Sequence, residues 1–423
     1  RVLLVVARPF GETDVPLGTV ARPVLEALRP LRDRIEVDVL RPPTFDTLQA
    51  TLNSNRGYYN AVHFDGHGVF ARTPSGVPLD QFGARGQMGH LVFETEDGGE
   101  QVVNSEQLGQ ALAAAHVPLF ILNACQSAEE GDESSYSSVA SQLVSIGASG
   151  VVAMSYSVYA TSAARFMERF YQRLVEGDSL TSAVAAGRRG LYASPQHQSM
   201  IGELELQDWM VPALYQQEDG YIPIPQIETQ PVEPDGEDGD GQLDLLGVVQ
   251  KSCPEGQFGF IGRDYDILRI ERSLRDDNRP WALLAGIGGT GKTEMAYGFA
   301  RWYAETGGCP GGVFVASFRE KTNFGQVIGS IAGFGTDFSR RTPEQQRQML
   351  VNYLRENPCL LIWDNFETVA GFARESDLHA TDDEKQSLSD FLRALRGGKS
   401  RVLITTRQPD ENWLGIAYQL VEM

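Results

Sequence analysis

Two groups of residues in this 423-residue chain have the types and spacing to do chemistry. The first is a histidine and a cysteine 58 residues apart, His67 in AVHFDGHGVF and Cys125 in PLFILNACQS. A thiolate nucleophile needs a base beside it that can later protonate a leaving amine, and imidazole does both near neutral pH. Cys125 follows an apolar run and precedes a polar loop, so its sulfur is expected to emerge at a sheet edge. His67 lies between Gly66 and Gly68, whose small size lets a substrate backbone approach and leaves bare amides able to donate to an oxyanion. The second group is the run GIGGTGKT, of pattern GxxxxGK[ST], with Gly286, Gly288, Gly289, Thr290, Gly291, Lys292 and Thr293. Its amides would cradle phosphates, Lys292 would reach the β- and γ-phosphates, and Thr293 would hold Mg²⁺. Asp364, at the end of the apolar run LLIW, fits the acid that completes such a metal site.

These residues need elements to hold them. VLLVVA, IEVDVL, YNAVHFDG, PLFILNAC and ASGVVAMS read as buried strands, and HLVFETEDGGEQVVN as a hairpin turning at Asp97-Gly98-Gly99. Between them, VARPVLEALRPL, TFDTLQATLNS, SEQLGQALAAAH, TSAARFMERFYQRLVEG and SLTSAVAAGRRGLY read as helices, the third opening on a Ser-x-Gln cap signal. Alternation of this kind predicts an α/β fold with a mostly parallel sheet. His67 and Cys125 then fall just past the carboxyl ends of strands, where open α/β sheets place their sites. A second alternating region runs from FGFIGRDYDILRIERSL through WALLAGI and a helix at the Lys to GVFVASF, CLLIWDN and RVLITTR. No internal repeat marks a solenoid.

The acidic, Pro/Gly-rich stretch between these regions cannot bury enough apolar surface to fold alone. No Lys or Arg occurs between Arg189 and Lys251, and the twelve acids from Glu203 to Asp244 carry −12 of the net charge of −20. The expected division is residues 1–217, a linker at 218–250, and 251–423. The net charge argues against nucleic acid as a partner. No apolar run is long enough to span a bilayer. Cys125, Cys253, Cys309 and Cys359 form no CxxC pair, which predicts reduced thiols and a cytoplasmic setting. The start at Arg1, within a strand-like run, and the end at Met423 predict that the natural protein extends further both ways.

With HFDGHG, LNACQS and the run SVASQLVSIGASGVVAMSYSV…FMERFYQRLVEGDSLTSAVAAGRRGL, residues 1–215 resemble the CHAT family of the caspase/separase clan. The resemblance implies a caspase-like α/β sandwich with Cys125 as nucleophile, His67 as general acid/base, and the amides of Gly68 and Cys125 as the oxyanion hole. In this clan the residue two before the nucleophile helps form the primary pocket. Here it is Asn123, neutral where metacaspase-like members carry Asp. Asp132 or Glu133 could supply a charge instead. Asp65 could orient an imidazole, line the pocket or be a solvated carboxylate, and His63 reads as a structural histidine behind the dyad.

With FIGRD, GIGGTGKT, LLIWDN and LITTR, residues 255–423 resemble the NB-ARC-type STAND NTPases. That implies ATP or ADP with Mg²⁺, Arg263 among the nucleotide-binding residues, and Arg407 as sensor of the γ-phosphate. It also implies winged-helix and sensor parts beyond Met423. Asn365 follows Asp364 where the family often has a second acid, so hydrolysis is expected to be slow. The two resemblances together imply a prokaryotic signalling or defence protease. ATP-dependent homo-oligomerisation would activate it, and it would cleave a protein substrate by limited proteolysis, with no membrane or nucleic acid involved. The other reading is a catalytically silent adaptor on an ATP-driven scaffold, against which the intact Cys125, His67 and Gly68 argue. A stand-alone P-loop kinase has no acceptor-site signature here.

Overall fold

The computed structural model describes residues 1–14, 16–17, 21–31, 34–70, 89–124, 135–154, 160–199, 202–224, 245–257, 260, 262–319, 324–331, 338, 340–370, 380–407 and 418–423. The chain divides into two compact units, Arg1–Pro234 and Asp235–Met423. Both are mixed α/β with mostly parallel sheets.

In the first unit the strands are β1 Val2–Val6, β2 Val37–Val39, β3 Ala61–Phe70, β4 Gly89–Glu94, β5 Glu100–Asn104, β6 Leu119–Ala124, β7 Gly150–Met154, β8 Gln196–Ser199, β9 Gly202–Glu205 and β10 Pro212–Gln216. The helices are α1 Ala21–Leu28, α2 Phe45–Ser54, α3 Ser105–Ala114, α4 Ser135–Ile146, α5 Ala160–Val175 and α6 Leu180–Tyr192. The main sheet runs β10-β7-β6-β3-β1-β2. All its neighbours are parallel except β10, which closes the β7 edge antiparallel. β1 and β7 are buried along their whole length, as strands covered on both faces must be. One face packs on α2, α3 and α4 through Leu48, Leu108 and Leu143, and the other on α1, α5 and α6 through Val24, Phe170 and Val184.

β3 does two jobs. Through Asp65 it pairs in parallel with β1, and through Gly66 with β6. From His67 to Phe70 it pairs antiparallel with β4, which continues into β5. His67 and Gly68 are therefore inside a strand, not past its end as the sequence implied. Glycines on both sides of His67 read as a loop, because glycine is depleted in strands, but the ladder to β4 overrides that preference. The expected turn is present: Gly98 takes a positive φ, and Thr95 bonds Gly98 and Gly99 across the turn. The cap of α3 is Asn104 rather than Ser105, its side chain accepting from the Gln107 amide at 2.8 Å. β8, β9 and β10 gave no sequence signal, because β8 and β9 are short and mostly polar and β10 opens on Pro212.

The second unit contains α7 Leu245–Ser252, α8 Asp264–Ser273, β11 Trp281–Ala285, α9 Lys292–Glu305, β12 Val313–Ser317, α10 Gly325–Ser330, α11 Pro343–Glu356, β13 Leu360–Asp364, α12 Glu367–Ala370, α13 Asp382–Ala394, β14 Arg401–Thr406 and β15 Gln419–Glu422. Its strands are all parallel, in the order β12-β13-β14-β11-β15. Trp281, Trp363, Phe318 and Phe391 fill the core on one side of the sheet. The expected linker is shorter at both ends. Tyr221 and Ile224 pack on the first unit's core, and the Leu180 amide donates to the Tyr221 carbonyl. At the other end, α7 buries Val249 and packs on α9. The acidic composition of the stretch hid the apolar run LLGVV.

Candidate functional site

At the carboxyl edge of the first sheet the last paired residues of β3 and β6 are Gly66 and Ala124. The next residues along the two chains are His67 and Cys125, and Cys125 and Asp132 lie outside the described residues. His67 is almost fully buried. Its Nε2 lies 2.6 Å from Asp14 Oδ1, and Phe10 packs edge-on against its ring. Nδ1 of His67 is buried and has no hydrogen-bond partner.

Asp14 is the residue the sequence reading missed. It stands 53 residues from His67 in an irregular loop, and nothing in its spacing marks it. Its other oxygen accepts from the Phe10 amide at 2.9 Å. Burial pushes its acidity down, but the His67 hydrogen bond and charge, the Phe10 amide and Arg8 outweigh that and hold its pKa below the usual carboxylate value. An ionised carboxylate only accepts, so Nε2 must donate, and the lone pair of the imidazole is left on Nδ1.

Behind this pair sits a buried ionic group. Arg8, the first residue after the apolar run of β1, donates to Asp65 Oδ2 at 2.7 Å and to the Asp65 carbonyl at 2.8 Å. The Arg8 amide donates to Glu94 on β4 at 3.0 Å. Asp65 is raised from its ordinary value by burial, against the pull of Arg8. Asn123 is the register partner of Asp65 and is likewise buried, with its side-chain amide nitrogen unpartnered. Gly68 stands opposite Leu91 in the hairpin ladder. His63 belongs to the core, not to this edge. It is fully buried against the Tyr171 hydroxyl at 3.2 Å, and burial lowers its pKa to about 3.

In the second unit the run from Gly286 joins β11 to α9. Gly289 and Gly291 take positive φ, which glycine adopts without strain. Lys292 Nζ folds back to donate to the carbonyls of Gly286 and Ile287 at 2.7 and 2.9 Å. Thr293 Oγ1 lies 3.0 and 3.2 Å from the two oxygens of Asp364, at the end of β13. Thr405 on β14 holds Asp364 Oδ1 at 2.6 Å. A hydroxyl and a carboxylate converging at the head of the phosphate loop fit Mg²⁺, a hard cation that takes oxygen ligands. Asn365 adopts a left-handed φ and donates its side-chain amide to Asp364 Oδ2 at 2.8 Å.

Arg407 follows β14 beside the loop; a methyl on Gly288 would sit 3.8 Å from its guanidinium carbon. Arg407 Nε pairs with Glu367 Oε1 at 2.9 Å. Arg263 is not drawn into this group: among the described residues its ion-pair partner is Asp266, at the start of its own helix. Glu367 was not foreseen.

A parallel α/β sheet whose central strand carries a buried, carboxylate-anchored histidine to the carboxyl edge defines a caspase-like arrangement. The chain belongs to the CHAT-domain family, whose match covers residues 1–282, about two thirds of its length. The match runs beyond the first unit and ends inside β11. No curated protein matches the chain. Among solved structures it is similar to PCH-2 of C. elegans, at 12% identity over 44% of this chain and 43% of that one, with a TM-score of 0.23. It is also similar to AMPPCP-bound DnaA from Aquifex aeolicus, at 15% identity over 39% and 48% of the two chains, with a TM-score of 0.22. A third is the E. coli MS115-1 HORMA:CdnC:Trip13 complex, at 16% identity over 42% and 58%, with a TM-score of 0.24. The chain spans less than half the length of the first two. Likenesses this slight carry no conclusion about fold or activity.

Proposed function

We propose that this chain is a nucleotide-regulated, caspase-like cysteine endopeptidase in which Cys125 and His67 act as a dyad. The observation that carries the reading is the strand register. β3 and β6 are neighbours, their last core pair is Gly66 and Ala124, and the residues that follow are His67 and Cys125. Adjacent strands lie about 4.8 Å apart, within reach of a thiol and an imidazole side chain. The free nitrogen of His67 adds to this, because Asp14 occupies the other one.

The chemistry follows from those atoms. Nδ1 takes the thiol proton as the sulfur of Cys125 adds to the substrate carbonyl. The same proton passes to the amine as the C–N bond breaks, and water then hydrolyses the thioester. Amides of Gly68 and Cys125 would receive the oxyanion. Asn123, Asp65 and Asp132 remain the candidates for the primary pocket, and Arg8 already neutralises Asp65.

In the second unit, Lys292 and the amides from Gly286 to Thr293 would bind ATP or ADP, with Arg407 at the γ-phosphate end. Mg²⁺ held by Thr293 and Asp364 would offset charge on the phosphate oxygens. Nucleotide exchange would permit homo-oligomerisation and activate the peptidase toward a protein target, in prokaryotic defence or programmed cell death in the cytoplasm. That last step rests on the family resemblance alone.

The test is covalent labelling by a peptide acyloxymethyl-ketone library, with and without ATP·Mg²⁺, read by intact mass against Cys125→Ala. ATP-dependent labelling confined to Cys125 is expected. A folded, ATP-binding protein that no peptide labels would favour the silent adaptor instead.

A further inference from the structure

We infer that Glu367, not a residue beside Asp364, is the carboxylate that activates water for ATP hydrolysis in the second unit. This inference rests on the nucleotide-binding reading above. The position after Asp364 is Asn365, whose amide nitrogen is committed to Asp364 Oδ2 and which cannot accept a proton from water. Glu367 opens α12, three residues beyond Asp364, and is 5% exposed. One of its oxygens holds Arg407 at 2.9 Å, and the other, Oε2, is buried with no hydrogen-bond partner.

A buried carboxylate oxygen with nothing to accept from is costly, and such orphans call for a functional explanation. Its surroundings supply one. Arg407, its partner, lies beside Gly288 of the phosphate loop. Asp364, which Thr293 meets at 3.0 Å, ends the strand just before Glu367. Glu367 is thus tied through Arg407 to the loop at Gly288, with one carboxylate oxygen still free to accept.

The step balances without another reagent. Water oxygen bonds to the γ-phosphorus, the bond to the β,γ-bridging oxygen breaks, and ADP leaves with that electron pair. The water proton goes to Glu367 Oε2 and then to phosphate or solvent.

Glu367→Gln keeps the shape and the Arg407 contact but cannot take a proton. Fluorescent-nucleotide titration and single-turnover hydrolysis are measured on the same full-length samples, with Lys292→Ala as the binding control. The expected result is ATP affinity equal to or tighter than wild type, because a negative charge near the γ-phosphate is gone. Hydrolysis should fall by roughly 100-fold or more. Glu367→Asp should recover part of the rate. Glu367→Gln hydrolysing within tenfold of wild type overturns the inference. Loss of ATP and ADP binding together in Glu367→Gln also overturns it, since the residue would then be a structural anchor. So does a wild type that binds ATP·Mg²⁺ and leaves it intact. A wild type that binds neither nucleotide, like Lys292→Ala, sinks the nucleotide-binding reading itself.

Discussion

Asp14 gives His67 its usable nitrogen. The short contact to Nε2 fixes the ring, and the carboxylate stays ionised because its pKa is held below the usual value. Asp14→Asn replaces a charge-assisted bond with a neutral one and lets the carboxamide present a donor to Nε2, favouring the wrong tautomer. The expected loss in peptidase kcat is roughly 100-fold, with KM little changed. Steady-state kinetics within threefold of wild type would remove Asp14 from the mechanism. His63 makes the opposite statement four residues earlier. Its pKa falls to about 3 because burial disfavours the cation, whereas its unfolded value is 6.5. The unfolded chain therefore binds a proton that the native state refuses. Stability is complete above pH 6.5 and is lost progressively down to about pH 3, at up to about 1.4 kcal/mol per pH unit. Urea melts between pH 7 and 4.5 should show that slope, and His63→Phe should lower it by about one proton. His67 and Lys292 were legible as residues because their motifs are local. Asp14 and Glu367 were not: the first meets its partner only through the fold, and the second was hidden by the expectation of an acid immediately after Asp364.

At the scale of elements, α5 and α6 pack directly against each other in the first unit, and a glycine permits it. A methyl on Gly187 would lie 2.5 Å from the Phe166 ring and 3.1 Å from its carbonyl oxygen. Backbone cannot give way as a flexible side chain can, so Gly187→Ala should destabilise by about 1–3 kcal/mol, despite alanine's better helix propensity. Chemical denaturation would show the shift, and an unchanged or raised midpoint would mean that the helices part without cost. Apolar periodicity made these helices and the core strands legible. It was silent on β10, whose edge position leaves it only half-buried and therefore without a strong pattern. Periodicity also stopped β3 at its glycines, because the partner that extends it, β4, lies more than twenty residues downstream.

At the scale of the molecule there are two units, each with its own sheet and core. A ligand that binds only the folded second unit stabilises it by mass action, about 2.7 kcal/mol at a hundredfold excess over Kd. ATP·Mg²⁺ should therefore raise the melting of that unit by several degrees, and Lys292→Ala should abolish the shift. Scanning calorimetry of both proteins makes the comparison, and a nucleotide-dependent shift that survives in Lys292→Ala would place the binding elsewhere. The two-part organisation was plain in the sequence because charge and composition change so sharply between the parts. The same sharpness misled at the margins, where apolar residues inside the acidic stretch fold onto either unit.

The change of partners along β3 gives this strand two clocks. Amides at 61–66 are locked in the central ladders and should exchange with deuterium only when the whole sheet opens, whereas those at 67–70 depend on the hairpin alone. A substrate-like peptide that braces the hairpin would slow exchange at 67–70 and 89–94 together and leave the first half of the strand untouched. One strand would then report the state of the edge that carries His67 against an internal standard carried in its own backbone.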